Sequence, residues 1–141
     1  MITGLDVPTA LTLGLVAHLL GDYVIQSHWM ACTKTERWWP AVCHAVTYTA
    51  PFLVITLDPV ALLVIGGTHA VIDRYRLARH LCWAKNQMAP RSWRPSWSTS
   101  SGTGYDPGSA PAGMAVALMI VADNTLHIVI NTAALGIAVA P

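Results

Sequence analysis

The stretch PTALTLGLVAHLLGDYVIQSHWM, residues 8–30, decides the fold class of this chain. A helix that crosses the hydrocarbon core of a bilayer needs about 20 predominantly apolar residues. This stretch has that length, and Asp22 is its only formally charged residue. No Lys or Arg precedes it, and it contains His18 and Asp22, so a removable signal peptide is disfavoured. The stretch therefore predicts a transmembrane helix.

The composition of the whole chain agrees with a membrane protein. Hydrophobic residues make up 54% and charged residues 11% of the 141 positions, whereas a soluble domain has about 25% charged residues. The formal net charge of +1 provides no long-range attraction to nucleic acid. We therefore predict a single integral membrane domain, residues 1–141, with the lipid bilayer as its partner and no nucleic-acid partner.

Three further segments approach the length of a membrane span: residues 39–57, 59–77 and 113–140. Together with residues 8–30 they predict an all-α fold, a four-helix transmembrane bundle. Pro51 is expected to kink the second helix because it lacks an N–H group. The Asp58-Pro59 pair leaves almost no room for a loop, so helices two and three are expected to form a tight antiparallel hairpin.

The distribution of positive charge predicts the orientation in the membrane. All eight basic residues follow the first predicted helix or lie at and beyond the end of the third. Positive residues in short loops mark the cytoplasmic side, so we predict a multi-pass protein of the inner or plasma membrane with both termini outside. Residues 82–112 are rich in Trp, Pro, Ser and Gly and predict a long cytoplasmic loop.

One internal repeat is visible in the chain. A shift of 51 residues places His18 on His69 and Asp22 on Asp73. An even number of membrane crossings separates the matched helices, so the two copies would run in the same direction, as in parallel-repeat transporters. The repeat predicts that the bundle consists of two parallel helical hairpins.

Histidine and aspartate side chains recur inside the predicted helices. Ionisable groups are costly in hydrocarbon, at about 2.5–3.5 kcal/mol for Asp at a helix centre, so their presence requires a reason. In three helices a His and an Asp are four residues apart, which places both on one helical face. The candidate metal ligands are His18, Asp22, His44, His69, Asp73, Asp123 and His127.

Imidazole nitrogens and carboxylate oxygens are ligands for zinc, manganese or non-haem iron. A metal ion with an open position activates a bound water molecule as a nucleophile. Asp22 and Asp73 are the candidate catalytic residues, with an unliganded Asp as general base. This interpretation predicts a metal-dependent hydrolase that acts on a lipid-linked or headgroup substrate at the cytoplasmic leaflet.

Two other interpretations fit the same residues, so the sequence leaves open whether the chain is an enzyme. The first is a non-enzymatic membrane accessory protein, of phage or bacterial origin, whose polar core only fixes helix packing. The second is a proton or ion pathway, which would need a homo-oligomer because four helices leave little room for a pore. In each interpretation Gln26, Tyr48 and Asn131 are candidate hydrogen-bond partners of the cluster.

The string AHLLGDYVIQSHWM, followed by a polar turn with Lys34, resembles the opening signature of a family of small polytopic membrane proteins. This bacterial and phage family has no assigned activity. Its pattern of His, Asp and Gln at intervals of four is matched by His18, Asp22 and Gln26. The segments CHAVTYT, THAVID and ADNTLHIVI resemble its later motifs. By this resemblance the family positions carry over onto His44, His69, Asp73, Asp123 and His127.

Overall fold

A computed structural model describes residues 4–109, 111 and 113–139, and this part of the chain is all-helical and contains no strand. The predicted all-α class is therefore confirmed. In chain order the helices are α1 Val7–Leu19, α2 His28–Thr33, α3 Trp38–Thr49, α4 Pro59–Tyr75, α5 Leu77–Asn86, α6 Trp97–Ser100 and α7 Met114–Ala138.

The chain divides into two compact units. Unit 1 comprises residues 1–75 and 127–141, and unit 2 comprises residues 76–126. Unit 1 therefore contains α1 to α4 and the second half of α7, while unit 2 contains α5, α6 and the first half of α7.

The first predicted helix, residues 8–30, is interrupted in the structure. The Asp6 carboxylate caps α1 by accepting a hydrogen bond from Thr9 N at 2.8 Å, and this interaction with Thr9 lowers the pKa of Asp6. After α1 the chain continues as a π-helical turn, Leu20–Ile25. It then becomes extended at Gln26, because Ser27 caps a new helix by accepting from Met30 N.

Helices α3 and α4 form the predicted antiparallel hairpin. Trp38 at the start of α3 contacts Tyr75 at the end of α4, and His44 contacts His69, so the two helices run in opposite directions. Beyond Thr49, α3 continues as a 3-10 helix, Ala50–Val54. This change of helix type occurs at Pro51, which has no N–H to offer an α-helical hydrogen bond.

In the part of the chain that the structure describes, two helical segments are long and apolar enough to cross a membrane, by length and composition: Val7–Ile25 and Met114–Ala138. Of the four predicted membrane spans, the first and the last therefore contain a helical segment of the required length and composition. The described α3 and α4 are 12 and 17 residues long. The predicted end of the last helix at residue 140 lies outside the described residues, as do residues 110 and 112 of the predicted loop.

The core of unit 1 consists of small and aromatic side chains. Tyr48 of α3 and Phe52 of the 3-10 helix that follows it are fully buried, and Ile65 of α4 and Leu135 of α7 pack in the same cluster. Small residues allow neighbouring helical segments to pack closely against this cluster. A Cβ atom added to Gly21 would lie 2.5 Å from Tyr48 Cδ2 and 3.2 Å from its Cα. The π-helical turn therefore touches α3 at a position that only glycine permits.

Replacing Gly21 with alanine is expected to destabilise unit 1 by about 1–3 kcal/mol, as overpacking does in well-packed cores. The added methyl group meets both the ring and the backbone of Tyr48, so no side-chain rotation relieves the clash. The measurement is the free energy of unfolding in mixed micelles. Gly67→Ala is the matched control, because a Cβ atom there meets nothing within 4 Å and a helical Ala gains about 0.5–1 kcal/mol over Gly. Equal effects of the two variants would contradict the close approach at Gly21.

In unit 2, side chains of α5 bind the backbone of the segment that follows. Arg79 donates to Ser101 O at 3.2 Å, and Asn86 donates to Gly104 O at 2.9 Å. The Trp83 indole donates to Pro95 O at 3.1 Å. The described part of the predicted loop, residues 82–112, is therefore ordered and partly helical. It contains the end of α5, a 3-10 turn at Arg91–Trp93 and α6, and its carbonyl groups obtain partners from α5.

Candidate metal centre

A pair of histidines lies at the centre of unit 1. The antiparallel packing of α3 and α4 brings His44 Nε2 to 2.9 Å from His69 Nε2. Both side chains are fully buried. Within the described part of the chain, neither Nδ1 atom has a hydrogen-bond partner, so both rings direct their polar contacts through Nε2. Two imidazole nitrogens therefore face the same small volume.

Two carboxylates flank this pair. Asp22 Oδ1, from the π-helical turn, lies 3.2 Å from His44 Nε2 and 3.5 Å from His69 Nε2. Asp73 Oδ2, one turn beyond His69 on α4, lies 3.3 Å and 3.1 Å from the same two atoms. Each carboxylate oxygen thus forms a triangle with the same two atoms, His44 Nε2 and His69 Nε2.

The dimensions of these triangles are close to those of a coordination site, although several edges, above all the shared 2.9 Å edge, are shorter than in a zinc site. Bonds of about 2.0–2.2 Å from a tetrahedral zinc ion to nitrogen and oxygen place the ligand atoms roughly 3.3–3.6 Å apart. The triangle of Asp22, His44 and His69 has edges of 2.9, 3.2 and 3.5 Å. Among the described residues, two groups of donor atoms lie close enough to hold a metal ion: Asp22, His44, His69 and His69, Asp73, His127.

Tyr48 packs against the histidine pair, His44 and His69. Its ring stacks on His69 with a centroid distance of 3.6 Å, and this contact fixes the plane of the imidazole. The Tyr48 hydroxyl accepts a hydrogen bond from Asn131 at 2.6 Å, and its oxygen is hydrogen-bonded to His18 Nδ1 at 2.8 Å. His18 Nδ1 also lies 3.5 Å from Asp22 Oδ2. His18 is therefore placed at the edge of the cluster, outside the two donor groups.

Helix α7 brings one further histidine to the cluster. His127 Nε2 lies 3.8 Å from Asp73 Oδ1, and its ring lies 4.2 Å from that of His69. Asp123, which the sequence grouped with His127, is half-buried in the part of α7 that belongs to unit 2. Neither donor group among the described residues includes it. The structure therefore brings six of the seven predicted residues into the cluster or its edge in unit 1.

Lys34 joins the cluster, although its position in the chain predicted only the side of the membrane on which its loop lies. Its ammonium group donates to Asp73 Oδ2 at 2.7 Å, and its side chain is 16% exposed. The loop that carries Lys34 is tied to α4, because Arg74 donates to Thr35 O at 2.6 Å and to Glu36 O at 3.1 Å. A signal for such a residue was available, since a buried carboxylate requires a compensating cation or hydrogen-bond donors.

Gln26 completes the contacts of His44. Its amide Nε2 lies 2.6 Å from His44 Nε2, at the residue where the first helical segment ends in an extended conformation. The three residues of the motif His18, Asp22 and Gln26 therefore all lie at the cluster, and Gln26 contacts a histidine of the neighbouring helix.

The family model described as protein of unknown function (DUF3307) matches residues 10–99 of this sequence. The chain belongs to the DUF3307 family. Membership supplies no activity, because the family itself is described as having unknown function. Comparison with curated proteins and with solved structures found no match.

The part of the chain that matches the DUF3307 model holds most of the cluster. It includes both members of the central histidine pair, both flanking carboxylates and Lys34, whereas His127 and Asn131 of α7 lie beyond it. The predicted resemblance to a family of unknown function is thereby confirmed as membership of the DUF3307 family, while the membrane character and the motifs of that family stay predictions. A bacterial or phage origin stays a prediction.

Proposed function

We propose that this DUF3307 protein is an integral membrane protein that binds one divalent transition-metal ion in unit 1. The ligands are Asp22 Oδ1, His44 Nε2 and His69 Nε2. The proposal rests on one observation, the triangle of these atoms with edges of 2.9 to 3.5 Å in a largely buried setting. Two imidazole nitrogens and, counting Asp73 Oδ2, two carboxylate oxygens surround this volume, and a cation between them would be attracted by both carboxylates.

Asp22 is the better carboxylate ligand of the two. The charge of Asp73 is already compensated by Lys34 at 2.7 Å, whereas no Lys or Arg pairs with Asp22 in the salt bridges of the described residues. This assignment leaves three protein ligands and an open fourth position. Catalytic zinc sites have that arrangement, and two histidines with one carboxylate also suit iron(II).

An open position next to Asp73 supports hydrolysis as the activity. Asp73 Oδ2 lies within 3.3 Å of both histidine ligands, close enough to accept a proton from a water molecule that enters the open position. In this role Asp73 is the general base and Asp22 is a ligand. We propose that the substrate reaches the centre at the cytoplasmic leaflet of the membrane.

In this proposal α1, α3, α4 and α7 cross the membrane, and both termini lie outside. Two helices have the required length and apolar composition, and only 28% of the apolar window of Val7–Ile25 and 11% of that of Met114–Ala138 are buried within the protein. Core helices of soluble proteins bury far more of their apolar surface. The eight basic residues, placed as described above, support the cytoplasmic position of the loop that carries Lys34.

Elemental mass spectrometry of detergent-purified protein tests the proposal. After expression with zinc, iron and manganese supplied, the wild type is expected to contain about one metal ion per chain, as a three-ligand site predicts. His69→Ala removes a ligand and is expected to contain almost none. The element found identifies the metal.

His28→Ala is the matched control, because His28 is an exposed histidine of α2 outside both donor groups. It is expected to retain the full metal content. A wild-type protein without metal under these conditions would overturn the metal centre, and equal loss in both variants would locate the metal elsewhere.

A metal-free polar core is the second candidate function. The buried ion pair between Lys34 and Asp73 favours it, because this pair already compensates one carboxylate without a metal ion. Under this alternative the cluster holds α1, α3, α4 and α7 in register, and the elemental content is zero in all variants. The homo-oligomeric proton or ion pathway stays a prediction from the sequence.

A further inference from the structure

Lys34 is a charged group at the accessible side of a buried cluster. The side chains of Lys34 and Asp22 are 16% and 13% exposed, while those of His44, His69 and Asp73 are at most 4% exposed. Anything that enters the cluster from outside unit 1 therefore meets Lys34 and Asp22 first.

The loop of Lys34 is held in place independently of the cluster. Arg74 binds two consecutive carbonyl groups of this loop, Thr35 O and Glu36 O, and its guanidinium lies 5.8 Å from the centre of the Trp38 ring. Arg74 therefore fixes the backbone on the carboxyl side of Lys34, from which the lysine side chain reaches Asp73 Oδ2.

The charges at the centre do not balance once a divalent cation is bound. A metal ion with two positive charges and the ammonium of Lys34 face only the carboxylates of Asp22 and Asp73, with the histidines neutral as ligands. One positive charge remains uncompensated in a largely buried site. Such a charge is expensive in an apolar environment, and a bound anion removes the cost.

We propose that the open position beside Lys34 binds a phosphate oxyanion, with one oxygen on the metal ion and another on the Lys34 ammonium. This inference rests on the proposed metal centre. Lys is a common phosphate ligand that acts as a point charge, and a divalent cation beside a lysine is a recurring arrangement for phosphate groups. The oxyanion is free phosphate or the phosphate of a lipid headgroup.

The surroundings of Lys34 suit a position at the headgroup layer. Arg37, Trp38 and Trp39 follow Lys34 after Thr35 and Glu36 and are exposed, and exposed Trp and Arg side chains concentrate at membrane interfaces. A phosphate at the depth of Lys34 would therefore lie close to the headgroups of the bilayer. This placement makes a lipid headgroup an available source of the oxyanion.

The test is the coupling between zinc and phosphate. Zinc affinity of the detergent-purified wild type is measured by competition with a chelator, with and without millimolar inorganic phosphate. Phosphate is expected to raise the zinc affinity about tenfold, within the 5- to 150-fold range typical of coupled sites. Lys34→Met is expected to bind zinc without this gain, because Lys34 supplies no ligand to the metal. Lys85→Met, which changes a lysine of α5 in unit 2, is the matched control and is expected to show the same gain as the wild type.

Nanodiscs distinguish the two sources of phosphate. A gain with phosphatidic acid over phosphatidylcholine assigns the site to a lipid headgroup, while a gain with inorganic phosphate alone assigns it to the free anion. No gain in the wild type, or an equal gain with acetate, overturns the inference although zinc still binds. Tighter zinc binding by Lys34→Met, without any phosphate dependence in the wild type, would show instead that the metal displaces the lysine. If the wild type binds no zinc, the proposed function itself fails.

Discussion

Asp73→Ala is expected to lower the free energy of unfolding of unit 1 by about 3–5 kcal/mol, the usual cost of removing one partner from a buried ion pair. The side chain of Asp73 is 4% exposed and accepts from Lys34 at 2.7 Å. Its two oxygens also lie near three histidines. Without the carboxylate, the ammonium of Lys34 loses its compensating charge. The measurement is unfolding of the metal-free protein in mixed micelles.

The double variant Lys34→Met/Asp73→Leu separates the ion pair from general packing. Replacing both charged partners by apolar residues of similar volume is often neutral or stabilising, so this variant is expected to recover most of the loss. A double variant as unstable as Asp73→Ala would show that Asp73 contributes through the histidines and not through Lys34.

Asp22→Asn is expected to weaken zinc binding by more than the roughly 100-fold that changes beyond the direct ligands cause. The amide has nearly the shape of the carboxylate, so the helix packing is retained. It lacks the negative charge that compensates the metal ion. Chelator competition on purified protein measures the affinity.

Asp123→Asn makes the same chemical change four residues before His127. The sequence placed Asp123 among the ligands, whereas the structure places it in unit 2 and outside both donor groups of the described residues. Its substitution is therefore expected to leave the zinc affinity unchanged. A large loss in Asp123→Asn would restore it as a ligand, and no loss in Asp22→Asn would remove the carboxylate from the proposed triangle.

The helical class and the central residues could be predicted because both depend on local sequence patterns. Apolar length indicates helices, and a spacing of four places His69 and Asp73 on one face of α4. The Asp58-Pro59 pair indicated the α3–α4 hairpin, and this hairpin produces the contact between His44 and His69.

Other features depend on contacts that no local pattern contains. Lys34 and Asp73 are 39 positions apart, and their pairing requires the loop that Arg74 fixes. The π-helical turn at Leu20–Ile25 has the same apolar pattern as an α-helix, so hydrophobicity alone does not distinguish the two. Ser27 is a residue type that commonly caps helices, but it lies inside an apolar stretch long enough for one membrane span, so the sequence did not indicate a helix end there. The spacing of Asp123 and His127 indicates a shared face but not membership of the same cluster.

The order of the cluster residues along the chain has a consequence for biosynthesis. All the proposed ligands, together with Asp73, Lys34 and Tyr48, precede residue 76, while His127 and Asn131 of α7 contact Asp73 and Tyr48. Chains fold from the amino-terminal end as they leave the ribosome. A nascent chain whose first 75 residues have left the ribosome therefore already contains every proposed metal ligand, whereas unit 1 is complete only when the second half of α7 arrives.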